Sequence, residues 1–356
     1  MASMTTRFRI ALIPGDGIGT EVVPAACAVL DAVGHRHGID FTYDAFDWSC
    51  QRYVAEGAMM PADGLAQIRF HDAVLLGAVG WPGVPDHVSL WGLLIPIRRQ
   101  FRQYVNLRPI KVLHGVPSPV ATATTEVDLV VVRENVEGEY SEIGGRFNRG
   151  FPDEMAVQES VFTRPGTERI LKYAFDLAGS RRGDLVSATK SNGIVHTMPF
   201  WDELVKETAA GFPAVSWRQE HIDALVAKVV LDPAAFDVIV ASNLFGDILS
   251  DLAAAVAGSI GIAPAANLNP EREYPSMFEP VHGSAPDIAG TGIANPLGAI
   301  WSASMMLDHL GHPEAGAEVF SAFASVLATE QVRTADLGGT ATTKEFTDAV
   351  LEQIGR

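Results

Sequence analysis

The sequence predicts an α/β fold with a largely parallel sheet covered by helices. Short β-branched apolar runs recur along the chain: RIALIP from residue 9, AVLLGAVG from 73, DLVVVREN from 128, LVSATKSN from 185 and DVIVASN from 237. Longer stretches of helical spacing separate them, as with Val22, Ala26, Val29, Leu30 and Val33 after the first run. The 356 residues suffice for two structural units, or for one large unit with an insertion.

The N-terminal stretch MASMTTRFRIALIPGDG has two arginines and only a brief apolar run before Pro14 and Gly15, so no secretory or targeting signal is read from it. The two cysteines, Cys27 and Cys50, cannot form a multi-bridge framework and fit a reducing compartment. Cytoplasm is therefore the expected location. PGDGIG, residues 14–19, follows a strand and opens a helix, but its glycines are spaced GxGxG rather than GxGxxG. A cofactor turn and a plain tight strand-to-helix turn explain it equally well.

A formal net charge of −17 excludes a nucleic-acid surface, which needs clustered Lys and Arg over a broad face. Against that background Arg98, Arg99, Arg102, Arg108 and Arg133 form a local basic concentration, as a small anionic substrate requires. Surface salt bridges account equally well for any one of them. VVRENVEGEY places Arg133 at a strand end with Tyr140 shortly after it, and SATKSNG places Lys190 at another strand end, where α/β folds present ligand crevices.

The middle of the chain adds less regular signals. GGRFNRGFPD, residues 144–153, reads as a loop or protruding arm between strands. QESVFTR alternates with period two and suggests antiparallel strands. In SNLFGDILSDLAA, Asp247 and Asp251 lie four apart on one helical face, where like charges repel and a cation between them is expected. With no Cys or His beside them, these oxygens suit Mg²⁺ or Mn²⁺, although a solvated helix face is the plainer explanation. The uncharged stretch Leu252–Pro270 reads as a buried helix followed by a loop rather than a membrane span.

FEPVHGSAPDIAG, residues 278–290, combines Gly, Ser and Pro with His282 and Asp287 in a stretch without apolar periodicity. It reads as a loop able to present backbone donors to a nucleotide, or as an ordinary turn capped by Ser284. The C-terminal part is helical. One helix begins at Pro296 and contains Ile300, Trp301, Met305 and Met306, and another includes Glu318–Leu327. No Ser- or Pro-rich linker marks a domain boundary.

Taken in order, IRRQFRQYVNLRP, VRENVEGEY, TKSNG, NLFGDILSD and EPVHGSAPDIAG resemble the β-decarboxylating dehydrogenase family of isopropylmalate, isocitrate, D-malate and tartrate dehydrogenases. The likeness runs from PGDGIG through the last helices. It implies an isopropylmalate dehydrogenase-like α/β fold and not a Rossmann fold. A large mixed sheet would be shared by a discontinuous domain, residues 1–104 and 262–356 with the cofactor site, and a central domain, 105–261, with metal and dimerisation elements. The resemblance also implies a homodimer with a shared active site, or a tetramer built from it, no nucleic-acid or membrane partner, and activation by K⁺, for which no residue constellation is visible.

The same resemblance implies the site. Arg98, Arg108 and Arg133 would hold the carboxylates of a small diacid. Asp247 and Asp251, with Asp223 of HIDAL from a second copy, would hold Mn²⁺ or Mg²⁺. Lys190 would be the general base and Tyr140 the proton donor to carbon, the lysine needing burial or a nearby cation to be neutral. NAD would lie against Glu279, His282, Gly283, Ser284, Ala285, Asp287, Ile288 and Asn295, with Asn192 approaching the nicotinamide. Asp287 would accept from a ribose diol and disfavour NADP.

Trp91 stands where isopropylmalate enzymes carry an acidic residue, and Gly92 and Leu94 where isocitrate enzymes carry Ser and Asn. VPDHVSLWG is most similar to the D-malate and tartrate enzymes, so Trp91 and Leu94 are expected to line the pocket, unless Trp91 is a core anchor. The expected activity is NAD-dependent oxidation, with decarboxylation where the product allows it, of tartrate, meso-tartrate and D-malate. The rival readings are an isopropylmalate dehydrogenase and a non-catalytic nucleotide-binding relative; the presence of Lys190, Tyr140, Asp223, Asp247 and Asp251 counts against the latter.

Overall fold

The computed structural model describes residues 5–355; the first four residues of the stretch read for a targeting signal, and Arg356, lie outside the described residues. The chain begins with β1 (Thr6–Gly15), α1 (Gly19–His37), β2 (Ile39–Ala45), α2 (Cys50–Glu56), α3 (Gly64–Ile68), β3 (Ala73–Ala78), α4 (Asp86–Ser89), a π-helical turn at Leu90–Leu94 and α5 (Ile95–Gln100). It continues with β4 (Val105–Lys111), β5 (Asp128–Glu134), β6 (Gly144–Phe147), β7 (Met155–Gln158), α6 (Arg164–Ser180), β8 (Asp184–Thr189), α7 (Thr197–Ala209), β9 (Ser216–His221), α8 (Ile222–Leu231), β10 (Val238–Ala241) and α9 (Asn243–Val256). It closes with β11 (Pro264–Leu268), β12 (Ser276–Pro280), α10 (Leu297–His309), α11 (Pro313–Ala328) and α12 (Thr343–Gln353).

Ten of these strands make one mixed sheet. The chain divides into two compact units: residues 1–103, 111–121 and 254–356, and residues 104–110 and 122–253. Residues 111–121, central in the expected division, cluster with the first unit, where a Cβ on Gly115 would meet Leu327 O and Ser118 Oγ donates to Val256 O.

In the first unit the strands run β2-β1-β3-β12-β11, parallel except for β11, which is antiparallel to β12. β3 is buried at every residue, as a strand covered on both faces must be. α1 buries Val22, Val23, Ala26, Val29, Leu30 and Val33, and ends on Gly38, whose left-handed φ of 68° lets its N–H donate to Gly34 O. Because β1, β3 and β12 are parallel, the turns after Gly15, Ala78 and Pro280 leave from the same sheet edge, and PGDGIG and HGSAPD meet there. The Rossmann order is absent, and PGDGIG is a turn of a different sheet.

In the second unit the strands run β4-β5-β10-β8-β9, with β5, β10, β8 and β9 mutually parallel. Arg133 pairs with Ala241 in register, and Thr189 with His221. The chain therefore delivers Arg133, the start of α9, Lys190 and the start of α8 to one carboxyl edge. Among the described residues no helix is long and apolar enough to cross a membrane.

Two local expectations are corrected. Leu252–Pro270 is not helix and then loop: α9 ends at Val256, and Pro264–Leu268 is the fully buried strand β11. Its composition has little strand propensity; pairing with β12 decides, and Pro264 fits as first residue, where a strand tolerates proline. GGRFNRGFPD, by contrast, is the expected protruding arm: it supplies β6 and the turn of an exposed hairpin in which β6 pairs antiparallel with β7. Of QESVFTR only Gln158 lies in a strand, with an isolated bridge from Val161 to Gly138.

Candidate active site

The second unit builds a cluster of four charges on α9. Its apolar face is buried through Phe245, Leu249 and Ala253, which turns Asp247 and Asp251 away from the core, one helical turn apart. Arg108 Nη2 lies 3.2 Å from Asp247 Oδ1, and its Nη1 donates to Asp251 Oδ1 at 2.8 Å and to Ser250 Oγ at 2.7 Å. Arg108 Nε is held by Asn106 Oδ1 at 2.8 Å. The cation that the like-charged pair demands is thus Arg108, joined by Arg133.

Arg133, 2% exposed, pairs with Asp247 through Nη1 and with Asn243 Oδ1 through Nε at 3.0 Å and Nη2 at 2.7 Å. It lies flat on the helix because residue 246 is glycine; a Cβ there would stand 2.6 Å from Arg133 Cβ. Tyr140 completes the cluster, its hydroxyl donating to Asp247 Oδ2 at 3.0 Å. Burial and the negative charge of Asp247 push the phenol above its ordinary range, so it is a proton donor at neutral pH. Burial also raises the Asp251 carboxyl, against the opposing pull of Arg108.

Lys190, in the turn after β8, donates to Asp223 Oδ1 at 2.6 Å, and this bond holds the exposed Asp223 carboxyl below its usual range. Asn192 and Gly193 are exposed in the same turn, which closes through Gly193 N and Ile194 N on Lys190 O. Asp223 is not with Asp247 and Asp251 in one chain, and among the described residues no three His, Cys, Asp or Glu side chains form a metal-holding group. Asp247 and Asp251 fit a hard divalent cation as two anionic oxygen ligands with room for more from outside the chain.

In the first unit, the segment from the π-helical turn into α5 is anchored by Leu93, Ile97 and Phe101 in a cluster with Trp48, Met59 and Ile68, with Leu94 packed against it. Trp91 is half-buried, its ring under the Arg99 guanidinium at 5.0 Å. Arg98 is buried and donates through Nη2 to Glu279 Oε1 at 2.8 Å, while its buried Nε has no partner. Glu279 also accepts from Asn267 Nδ2 at 2.7 Å.

The loop after β12 is fixed by its neighbours. Ile18 N donates to Ser284 O at 2.9 Å, and a Cβ on Gly17, at φ +54°, would fall 2.0 Å from that oxygen. Gly17 is therefore required by the close approach of this loop, whereas a Cβ on Gly15 would meet Ala78 O and one on Gly19 would meet Pro14 O. Glu21 pins the far end by accepting from Gly290 N at 2.7 Å and Gly292 N at 2.9 Å. Within the loop Ala285 has φ 39° and donates no side-chain polarity, Ile288 N bonds back to Ala285 O, and Gly283 and Asp287 are exposed. His282 Nδ1 is bonded to Gly283 O, burial lowers the imidazole's proton affinity, and its buried Nε2 has no partner. A buried imidazole with an unpartnered nitrogen fits a nucleoside's ring nitrogens, and the exposed Asp287 carboxylate in the same loop fits its hydroxyls. Asn295 is buried, donating to Asp336 at 3.0 Å and accepting from Leu297 N.

Several residues with parts in these arrangements escape sequence reasoning. Asp16, inside PGDGIG, accepts from Cys50 N at 2.9 Å and Gly80 N at 3.0 Å and joins three loops. Asn243 and Asn106 orient the two arginines, and Asp336 holds Asn295. The partners of Asn243 and Asp336 lie far away in sequence, whereas Asn106 stands two residues before Arg108 and Asp16 is an acid among turn glycines, which are local signals.

Residues 9–350 match the family model described as isocitrate/isopropylmalate dehydrogenase. The chain is 54% identical over 350 residues to a probable tartrate dehydrogenase/decarboxylase of Bacillus subtilis, covering 98% of each chain. It is 53% identical over 362 residues to a D-malate dehydrogenase (decarboxylating) of Escherichia coli, covering 99% of this chain and 100% of that one. Among solved structures, an isocitrate dehydrogenase from Methylococcus capsulatus superposes with a TM-score of 0.88 at 34% identity, covering 98% of this chain and 100% of that chain.

Proposed function

The chain belongs to the isocitrate/isopropylmalate dehydrogenase family, and from that premise we propose that it oxidises small 2-hydroxy diacids, D-malate and the tartrates, with NAD and Mn²⁺ or Mg²⁺, releasing carbon dioxide where the product allows. The observation that carries the chemistry is the self-paired cluster of Arg108, Arg133, Asp247 and Asp251. Its two cations and two anions neutralise each other within the chain. A diacid and a divalent cation would supply the complementary charges: Arg108 and Arg133 would hold the substrate carboxylates and Asp247 and Asp251 the metal. The relatives named for tartrate and D-malate support the choice of substrate.

When bound, NAD accepts the hydride and the divalent ion polarises the substrate hydroxyl and stabilises the charge left as carbon dioxide departs. Arg98, Arg108 and Arg133 clamp the carboxylates, where the bidentate guanidinium gives orientation as well as charge. Asp247 and Asp251, with Asp223 of a second copy, hold the metal. That assignment takes Asp223 away from Lys190 and frees the amine to accept the hydroxyl proton. Tyr140, protonated at neutral pH, gives a proton to the carbon that loses the carboxylate.

Trp91 and Leu94 form the wall beside the third carbon, where bulk excludes an isopropyl branch. His282, Gly283, Ser284, Ala285, Asp287, Ile288 and Asn295 take the adenosine side and Asn192 the nicotinamide. Glu279 belongs to the cofactor-binding set and is also the counter-charge that fixes Arg98. Asp287 favours NAD over NADP by repelling a 2′-phosphate.

A homodimer with shared sites belongs to the same proposal. Ile143, Phe147, Phe151 and Met155 on the β6–β7 hairpin, and Ile248 on α9, are more than half exposed, which supports their burial against a second copy. A tetramer and K⁺ activation come with the family resemblance, and a cytoplasmic location with the scarcity of cysteine. The proposal is tested by following NADH and carbon dioxide formation from D-malate and the tartrates with Mn²⁺.

A further inference from the structure

Residues 137–140 cross the start of α9 without regular secondary structure of their own beyond the bridge at Gly138, yet they carry Tyr140 to Asp247. Four hydrogen bonds hold this crossing. Asn243 Nδ2 donates to Glu137 O at 3.0 Å. Glu139 Oε1 accepts from Ser242 Oγ at 2.7 Å, and its Oε2 accepts from Leu244 N at 3.0 Å. One residue later the Tyr140 hydroxyl donates to Asp247 Oδ2 at 3.0 Å. Gly138, at φ +95°, permits the close approach, since a Cβ there would lie 3.2 Å from Asn243 Cβ.

The Glu139 carboxylate is an external cap. It satisfies an N–H that the first helical turn cannot pair internally, and it sits at the positive end of the helix dipole. Unlike an ordinary cap it comes from the neighbour of Tyr140. Its two bonds therefore fix the first turn of α9 relative to the phenol, and Asp247 and Asp251 follow rigidly along the helix.

We propose that Glu139 is a positioning residue that sets the separation between the Tyr140 phenol and the Asp247 and Asp251 carboxylates. This rests on the function proposed above, in which those three groups serve metal binding and proton delivery. A cap that is merely structural would lower the melting temperature and leave the site's geometry intact once folded.

The test compares wild type, Glu139→Ala and Glu139→Gln as intact assemblies, well below their melting temperatures, by Mn²⁺ titration calorimetry and by steady-state kinetics on D-malate. Loss of an outer-shell partner typically costs roughly tenfold or more in metal affinity or activity. Glu139→Ala is expected to weaken Mn²⁺ binding by about tenfold and to lower kcat by a similar factor, with NAD binding changed by less than about twofold. Glu139→Gln, which keeps one acceptor oxygen for Leu244 N, is expected to recover part of both losses and carries the test if the alanine variant does not fold. Mn²⁺ affinity and kcat within about twofold of wild type in the folded variants would overturn the proposal. Should wild type bind Mn²⁺ but turn over no diacid, the functional reading fails while the Mn²⁺ titrations still decide the role of Glu139.

Discussion

Arg108 Nη1 donates to Asp251 Oδ1 at 2.8 Å, and the same guanidinium reaches Asp247, so one buried cation spans both carboxylates that the family resemblance assigns to a metal. The carboxylates are preoriented before any ligand arrives. On the proposed assignment, a divalent ion at these carboxylates would draw Arg108 toward another anion and so link metal affinity to occupation by a diacid.

Asp247→Asn removes the charge that pairs with both Arg133 and Arg108. Mn²⁺ affinity measured by calorimetry should fall about tenfold or more. Stability should fall by about 1–3 kcal/mol, because two buried guanidinium groups lose an anionic acceptor. Unchanged Mn²⁺ dependence would remove Asp247 from the metal site.

Lys190→Met should abolish turnover while NAD binding, followed by nicotinamide fluorescence or calorimetry, persists. The change removes the amine proposed to take the hydroxyl proton and leaves the loop after β12 untouched. Retention of more than about a tenth of kcat would argue against the lysine as base.

Gly246→Ala tests the packing of Arg133 on α9. The new methyl would stand 2.6 Å from Arg133 Cβ, so helix or arginine must shift. Overpacking of this kind costs about 1–3 kcal/mol, and the displaced guanidinium should raise the KM for D-malate. A variant with wild-type melting temperature and KM would show that the contact relaxes freely.

Glu134, buried directly after Arg133, accepts from Val136 N at 2.8 Å and Glu137 N at 3.0 Å, but burial pushes its carboxyl up to about 7 from 4.5. The folded protein thus holds a proton that the unfolded chain has released between those values. Stability from this group is present at low pH and is lost as pH rises toward about 7. Glu134→Gln should therefore gain on wild type between pH 5 and pH 8, by up to about 3 kcal/mol in denaturant unfolding. A difference independent of pH would place the ionised form in the fold without cost.

The parallel core strands, α1 and the C-terminal helices are legible because burial on both faces leaves unbroken apolar runs and helical spacing leaves a stripe. β11 is not, since PAANL becomes a strand only by pairing with β12. The candidate site is legible as residue types at strand ends, and the demand for a cation between Asp247 and Asp251 follows from charge alone. Its identity as Arg108 depends on strand order, which spacing does not encode. Glu139, Asn243 and Asp336 act through partners far along the chain, and no local pattern marks them.

The proposed substrate preference is for D-malate or tartrate over the bulkier substrates of the family. It is tested most directly by kcat/KM for D-malate, both chiral tartrates, meso-tartrate, isopropylmalate and isocitrate, measured with NAD and Mn²⁺ on the wild-type enzyme. D-malate and one or more tartrates are expected to rank first, isopropylmalate and isocitrate to trail, and a smaller residue at Trp91 to narrow the gap to isopropylmalate. A wild-type preference for isopropylmalate or isocitrate would contradict that ranking.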